Sequence, residues 1–155
     1  MIKSTLIAAL VVAGCLCKLP ARAMDSEETS RDAAVSSDYQ RAVKEVRSGN
    51  YAAALPLLEK AVKQNPQDAD AWNLIGYSQR KLKRYDQALA AYQKALTIKP
   101  QHRGANEYIG ELYLETGKLA QAKERLKVLD GACFFGCEEF DELKAAIAAY
   151  EAKNM

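Results

Sequence analysis

Residues that catalysis and metal binding use most are scarce in this sequence. Its 155 residues include one histidine, His102, and four cysteines, two of which lie in the first 23 residues. There is no Gly-rich phosphate loop, no nucleophile elbow and no cluster of metal ligands. The carboxylates are scattered over predicted helix surfaces, where charges normally serve solvation. We therefore expect no intrinsic catalytic activity, no cofactor and no bound metal ion.

The chain also has no large excess of positive or negative charge. The formal net charge is +2, and removing residues 1–23 lowers Lys+Arg from 22 to 19 while Asp+Glu stays at 20, which leaves a net charge of −1. A near-neutral chain has no general attraction for nucleic acid or anionic membranes. Proline and glycine are few, so long coil segments are not favoured. The hydrophobic fraction of 49% suffices for the core of one domain.

No apolar run reaches the ~20 residues of a comfortable membrane span. The longest, within MIKSTLIAALVVAGCLC, follows one early lysine and precedes Pro20 and the small-x-small tripeptide of residues 21–23. This order is typical of a bacterial signal peptide at 1–23, and we predict cleavage after Ala23 and export to the periplasm. The polar, acidic stretch 24–35 is predicted to be a flexible tail.

A second cleavage site competes with the first. Residues 12–15, VAGC, resemble a bacterial lipobox, and cleavage before Cys15 would leave a lipidated cysteine that tethers the protein to a membrane. That cut would also keep Cys17 as an odd thiol in an oxidising compartment, whereas the later cut leaves only the even pair Cys133 and Cys137. We therefore favour the soluble form, and expect membrane contact only if Cys15 is lipidated.

The body of the chain repeats itself with a period of 34 residues, the separation of Tyr51 and Tyr85. This period is called here the repeat length. NYAAALPLLEKAVKQNP (50–66) aligns with RYDQALAAYQKALTIKP (84–100), and KLAQAKERLKVLD (118–130) is a third copy. Each unit has the spacing of two amphipathic helices, and one such unit cannot bury its apolar face alone. The sequence therefore predicts an all-α solenoid. Its helices are expected near 36–48, 51–64, 69–82, 85–98, 103–116 and 119–130.

Residues 71–100 resemble a tetratricopeptide repeat. The resemblance is carried by Trp72, Ile75, Gly76, Ala88, Tyr92, Ala95 and Pro100. Gln79 replaces an aromatic residue of the family pattern, which Tyr113 restores in the third unit. The outer units keep only part of the signature, as end repeats do when their outer faces meet water. The resemblance implies a right-handed α-solenoid with repeats near 36–68, 69–102 and 103–130, in a domain of residues 36–155.

The family resemblance also implies where a partner would bind. The first helix of each pair lines a concave groove that takes an extended peptide or a partner helix. The side chains implied for this groove are Tyr39, Val43, Val46, Asp70, Asn73, Tyr77, Arg80, Glu107, Glu111 and Leu114. For each single residue a solvated surface explains the sequence as well as partner contact does. The groove is acidic at its third-repeat end, where Glu107 and Glu111 would repel a C-terminal carboxylate. We predict a non-catalytic adaptor of the bacterial cell envelope that binds a protein or peptide.

A seventh helix is predicted at 137–153. One apolar stripe runs along it, formed by Phe140, Leu143, Ile147 and Tyr150. We interpret this helix as a cap over the last repeat rather than as a partner surface, because an uncapped repeat would leave its apolar flank in water. Near the start of the preceding pair, Arg103 is expected to pair with Glu107 four residues on.

The stretch CFFGC places Cys133 and Cys137 on either side of the turn before this helix. A disulfide is the interpretation that uses only what is present, with Phe134 or Phe135 expected to pack beneath it. Two alternatives stay open. One is a dithiol redox centre, although a thioredoxin motif has two intervening residues. The other is a copper-handling site with His102 as third ligand. The ending also resembles that of small exported bacterial repeat proteins, C-x3-C-E-E and a helix, which implies no activity.

Overall fold

The computed structural model describes residues 37–154, and this range is helical apart from its turns. The helices are α1 (37–47), α2 (Tyr51–Gln64), α3 (Ala69–Lys81), α4 (Tyr85–Ile98), α5 (Arg103–Glu115), α6 (Leu119–Ala132) and α7 (Glu138–Asn154). The predicted all-α solenoid is confirmed, with helix ends close to the expected bounds. The signal peptide, both cleavage sites and the tail lie outside the described residues. Within the described range, no helix is both long and apolar enough to cross a membrane.

The helices pack in chain order. α3 pairs with α4 and α5 with α6, while contacts of α2 with α3 and of α4 with α5 join successive pairs. The helix α5 also touches α3 on one side and α7 on the other. Buried side chains accordingly form three clusters in succession, which include Leu58 with Ile75, Tyr92 with Ile109, and Leu129 with Leu143. Stability therefore comes from contacts between neighbouring units, as in other stacked repeats.

The turn inside each pair uses one backbone conformation at equivalent positions of the three units. Gly49 and Gly117 have φ values of +77° and +74°, and Lys83 between them has a φ of +60°. Glycine adopts this left-handed conformation freely, whereas a residue with a Cβ is disfavoured there by about 1–2 kcal/mol. The second repeat thus carries backbone strain that the other two avoid.

Side chains fix the connections between pairs. Asp68 caps α3 by accepting a hydrogen bond from the N–H of Ala71 at 2.9 Å. His102 caps α5, where its Nδ1 accepts from the N–H of Ala105 at 3.2 Å. This acceptor role leaves the ring proton on Nε2, which donates to Oδ1 of Asp70 at 2.8 Å. His102 therefore links the second and third repeats, and both of its ring nitrogens are engaged.

The helix α7 begins a fourth unit. Its inward residues Phe140, Leu143, Ile147 and Tyr150 lie one repeat length after Asn106, Ile109, Tyr113 and Thr116 of α5. It packs on α5 and α6 with Leu143 and Ile147 buried, as a cap would. At the position that Gly76 and Gly110 hold in α3 and α5, however, α7 has the exposed Lys144. A second helix could not approach this lysine as closely as α4 approaches Gly76.

Candidate functional site

Three tyrosines from three helices stand in a row. The ring centroids of Tyr51 on α2 and Tyr77 on α3 are 5.8 Å apart, and those of Tyr77 and Tyr108 on α5 are 4.9 Å apart. All three side chains are half-buried. Burial raises the pKa of Tyr108 to about 12, an effect that the neighbouring Glu107 reinforces. The phenol of Tyr108 therefore stays neutral, and this tyrosine row offers aromatic surface with hydroxyl groups attached.

A buried arginine holds the row in place. Arg80 has a relative exposure of 5%, and its guanidinium lies 5.7 Å from the ring centroid of Tyr77 and 5.8 Å from that of Tyr108. It forms ion pairs with Glu111 at 2.5 Å and with Glu115 at 2.6 Å. A guanidinium is the cation best suited to such a position, because it stacks on rings and pairs with carboxylates at once. Arg80 thus joins α3 to α5 across the row.

The structure places the implied groove residues in two classes. Those with partly or fully exposed side chains are Tyr39, Val43, Val46, Asp70, Tyr77 and Glu111. Those that are buried are Asn73, Arg80, Glu107 and Leu114. The buried four offer a partner little surface and act mainly on neighbouring side chains. Partner contact by either class stays a prediction.

Glu107 lies beneath α7 instead of facing solvent. Its relative exposure is 3%. Its pKa is raised to about 9, first because burial disfavours the carboxylate, and then because Glu142 of α7 hydrogen-bonds to it and repels its charge. Glu107 is therefore protonated at neutral pH and donates to Glu142. The expected pair of Arg103 with Glu107 was wrong, since Arg103 instead lies 3.8 Å from Glu139 of α7.

A shallow cleft continues the surface between the ends of α5 and α7. It has a volume of about 600 Å³, and the apolar residues that line it include Leu114, Ala146 and Ala149. The charged residues Glu115 and Lys153 also line it. A cleft of this size can take a side chain or a short segment of a ligand.

The turn before α7 contains the cysteine pair. Cys133 and Cys137 are joined by a disulfide with their Cα atoms 5.6 Å apart. The expectation that a phenylalanine packs beneath it was wrong: Phe134 and Phe135 have relative exposures of 91% and 105%. The reason is local, because the N–H of Gly136 bonds to the carbonyl of Cys133 and makes the two phenylalanines the central residues of a tight turn.

A copper site at this turn gains no third ligand. Both ring nitrogens of His102 are engaged with Asp70 and Ala105. Across residues 37–154, no group of three His, Cys, Asp or Glu side chains is placed to hold a metal ion.

Sequence reasoning missed two members of the tyrosine row. Tyr51 and Tyr108 lie outside the positions that the family's geometry assigns to the groove, yet both rings contact the Tyr77 ring. Lys81, which follows Arg80 in the sequence, was missed as well, and its Nζ lies 5.1 Å from the Tyr77 centroid. The available signal was composition, since eight tyrosines are unusual beside one tryptophan and three phenylalanines.

Comparison with known proteins gives a consistent result. Two family models, each described as a tetratricopeptide repeat, match residues 39–103 and 79–147. Among curated proteins, the human PEX5-related protein is 27% identical over 89 residues, which are 57% of this chain and 14% of that protein. The chain thus spans 14–16% of the length of the curated relatives that it matches.

Similar solved structures are more distant in sequence. The Yersinia enterocolitica type III secretion chaperone SycD, in complex with a peptide of the translocator YopD, has a TM-score of 0.67 at 18% identity, over 86% of this chain and 100% of that chain. The TPR2B domain of yeast Sti1, in its pHsp70 complex, has a TM-score of 0.65 at 16% identity, over 75% and 97%. At these identities the likeness establishes the fold alone.

Proposed function

Because the chain belongs to the tetratricopeptide repeat family, we propose that it is a non-catalytic adaptor that binds a peptide or helix of a partner protein. The partner lies along the side formed by the first helices α1, α3 and α5. One observation carries the proposal: the tyrosine row of Tyr51, Tyr77 and Tyr108, half-exposed and held by a buried arginine. Rigid aromatic side chains with a polar end are the usual anchors of protein recognition, since they bury large area at little cost in entropy.

The structural relatives support a bound segment as the form of the partner. The Yersinia chaperone was solved with a peptide of a translocator protein, and it matches 86% of this chain. The cleft next to Leu114 supports the same form, because it prolongs the binding surface from the third repeat onto α7. The partner is thus proposed to be an elongated segment rather than a small molecule.

The proposed place of action is the bacterial cell envelope. The support is the sequence of residues 1–23, which reads as a signal peptide, with the lipobox at Cys15 as the alternative. The mass of the exported protein tests this proposal, because it distinguishes cleavage after Ala23, lipidation at Cys15 and retention of the whole segment.

Crosslinking in living cells tests the adaptor function. A photoreactive residue replaces Tyr77 in the full chain, and the same residue replaces the exposed Gln93 on α4 as the matched control. By the family's geometry α4 lies on the outer side. We expect a discrete crosslinked product from position 77 that is absent from position 93. Equal products from the two positions, or none from position 77 and from a second probe at Val43, would overturn the proposal.

A second candidate function is thiol–disulfide exchange at Cys133 and Cys137. It is favoured by the position of the disulfide, which sits at a surface turn with both cysteines only half-buried. Substituting Cys137→Ser leaves Cys133 free to hold a partner as a mixed disulfide. Accumulation of such adducts in non-reducing gels supports exchange, whereas a variant that merely unfolds at lower urea assigns the disulfide a structural role.

A further inference from the structure

The central ring of the tyrosine row, Tyr77, already has a cation of the chain near it. The ammonium of Lys81, an exposed residue at the end of α3, lies 5.1 Å from the centroid of the Tyr77 ring. A cation within about 6 Å of an aromatic ring is attracted by the negative face of the π system. The chain therefore supplies one of its own surface charges to this ring.

The charges around the row explain why a cation is favoured there. Among residues 37–154, Arg80 is the one cation paired with the carboxylates of Glu111 and Glu115, so these three groups together carry a net negative charge. The ion pair with Arg80 uses Oε2 of Glu111, whose side chain keeps a relative exposure of 29%. Lys81 brings the group to neutrality, but no ion pair or hydrogen bond to a carboxylate holds it among the described residues.

We propose that Tyr77, Tyr108 and Glu111 form a subsite for a basic side chain, lysine or arginine, of the partner segment. This inference rests on the proposed adaptor function and specifies its partner. In the free protein Lys81 lies near the Tyr77 ring only; in the complex the partner's cation replaces it at that ring and also pairs with Glu111. An arginine has the further advantage that its planar guanidinium can stack on the Tyr77 ring and pair with a carboxylate at the same time.

The same surroundings disfavour an acidic partner group in the place of the Lys81 ammonium. A carboxylate there would lie near Glu111 and Glu115 on α5, whose ion pairs already use Arg80. Beyond them Glu142 of α7 is a further carboxylate, whose charge acts on Tyr108. Like charges placed together disfavour the wrong partner more strongly than matched charges favour the right one. The subsite is thus selective for the sign of the ligand's charge.

Lys81 competes with the partner's cation for the Tyr77 ring. Because the partner has to displace the lysine, the observed affinity is the intrinsic affinity multiplied by the fraction of molecules in which the ring is free. Removing Lys81 should tighten binding by about 2–5-fold, the range that corresponds to an exposed cation–π contact.

The test uses the full chain labelled with 3-fluorotyrosine and followed by ¹⁹F NMR. The probes are N-acetyl-arginine amide, its uncharged counterpart N-acetyl-norleucine amide, and N-acetyl-glutamate amide. Tyr77→Phe and Tyr108→Phe assign the two resonances. We expect saturable shifts of both resonances with the arginine probe only. Lys81→Met should tighten binding by about 2–5-fold, and Glu111→Gln should weaken it. The control Lys83→Met removes the same charge two residues away and should leave the affinity unchanged.

Three results would overturn the subsite: no saturable shift in either the unsubstituted protein or Lys81→Met, equal shifts with the norleucine probe, or equal tightening by Lys83→Met. Failure here is separable from failure of the adaptor function. A specific crosslink from position 77 together with a silent arginine probe removes only the basic-residue preference. A saturable arginine shift without any crosslink leaves the subsite and removes the adaptor.

Discussion

The second and third repeats fill the space beside an equivalent glycine, Gly76 and Gly110, with side chains from different helices. A Cβ on Gly76 of α3 would lie 2.5 Å from the ring of Tyr92, which belongs to the paired helix α4. A Cβ on Gly110 of α5 would lie 2.6 Å from Leu143, which belongs not to the paired helix α6 but to α7. The second repeat therefore completes its contact internally, whereas the third borrows a side chain from the next helix.

The cause is one substitution between the units. Leu126 stands one repeat length after Tyr92 and is half-buried, while Tyr92 is fully buried. A leucine does not reach across to the glycine as a tyrosine does. The difference shows that α7 contributes to the hydrophobic core of the third repeat. The predictions below test that dependence, from the largest expected effect to the smallest.

Shortening Leu143 should break the third repeat. Leu143→Ala removes a fully buried side chain, and we expect a loss of about 3 kcal/mol in the free energy of unfolding. Urea denaturation followed by circular dichroism measures the loss. Hydrogen exchange should show the greatest change in α5, α6 and α7. If exchange rises equally in α3 and α4, the third repeat does not depend on α7 in the way proposed.

Adding a methyl group at Gly76 or Gly110 should show which neighbouring side chain can move aside. Gly76→Ala pushes a methyl group against a fully buried aromatic ring, and we expect destabilisation of about 1–3 kcal/mol. Gly110→Ala meets the methyl groups of a leucine, which can change rotamer. Alanine adds about 1 kcal/mol of helix propensity in both variants, so the two should differ through these neighbours. The second variant should therefore lose less stability than the first in parallel urea titrations. The reverse order would contradict this account.

The junctions on either side of α5 should also differ in their response to pH. Asn73 of α3, which does not titrate, lies against Gly104 of α5. At the equivalent position of the next unit, Glu107 faces α7 with its pKa raised to about 9. Unfolded Glu107 loses its proton near its ordinary pKa of 4.5, whereas the folded protein keeps it. The unfolded state thus binds fewer protons between these values, and this residue's contribution to stability falls as pH rises through that window.

The variant Glu107→Gln keeps a donor for Glu142 and removes the titration. The other charged groups at this junction are Glu111 on α5, and Glu139 and Glu142 on α7, with Arg103 paired to Glu139. We expect the variant to gain at least about 1 kcal/mol over the unsubstituted protein between pH 5 and pH 8. Urea midpoints at several pH values measure the gain. A difference that stays constant with pH would exclude Glu107 as the titrating group.

The smallest effect concerns the turns. Lys83 has a φ of +60° where the first and third units have glycine. Lys83→Gly should relieve that strain and raise the free energy of unfolding, by about 0.5–1 kcal/mol once the greater freedom of glycine in the unfolded chain is subtracted. Thermal unfolding provides the measurement, with Lys94→Gly, at an exposed position inside α4, as a control that should destabilise.

The sequence determines most of the fold because its signal is periodic. Tyr51 recurs as Tyr85, Pro66 as Pro100, and the glycine of α3 as that of α5, so the helices and their pairing follow from the repeat. The features that could not be predicted from the sequence depend on contacts between units and on local turns. The exposure of Phe134 depends on a single backbone hydrogen bond.

The candidate site was only partly predictable for the same reason. Tyr77 and Arg80 occupy positions that the family's geometry assigns to the groove. Tyr51 and Tyr108 reach Tyr77 only because α2 and α5 bring them there from either side. No periodic pattern within α3 contains that information. The burial of Glu107 likewise requires α7 to lie over it, which one helix considered alone does not reveal.

Lys144 makes the surface of α7 unlike that of α3 and α5. In a stack of similar units, each further helix has to find a matching surface on the last one. A long, charged side chain in place of a glycine leaves less room for a helix at this position. An engineer who wishes to extend the array should begin by restoring a small residue at position 144, before adding any new helix.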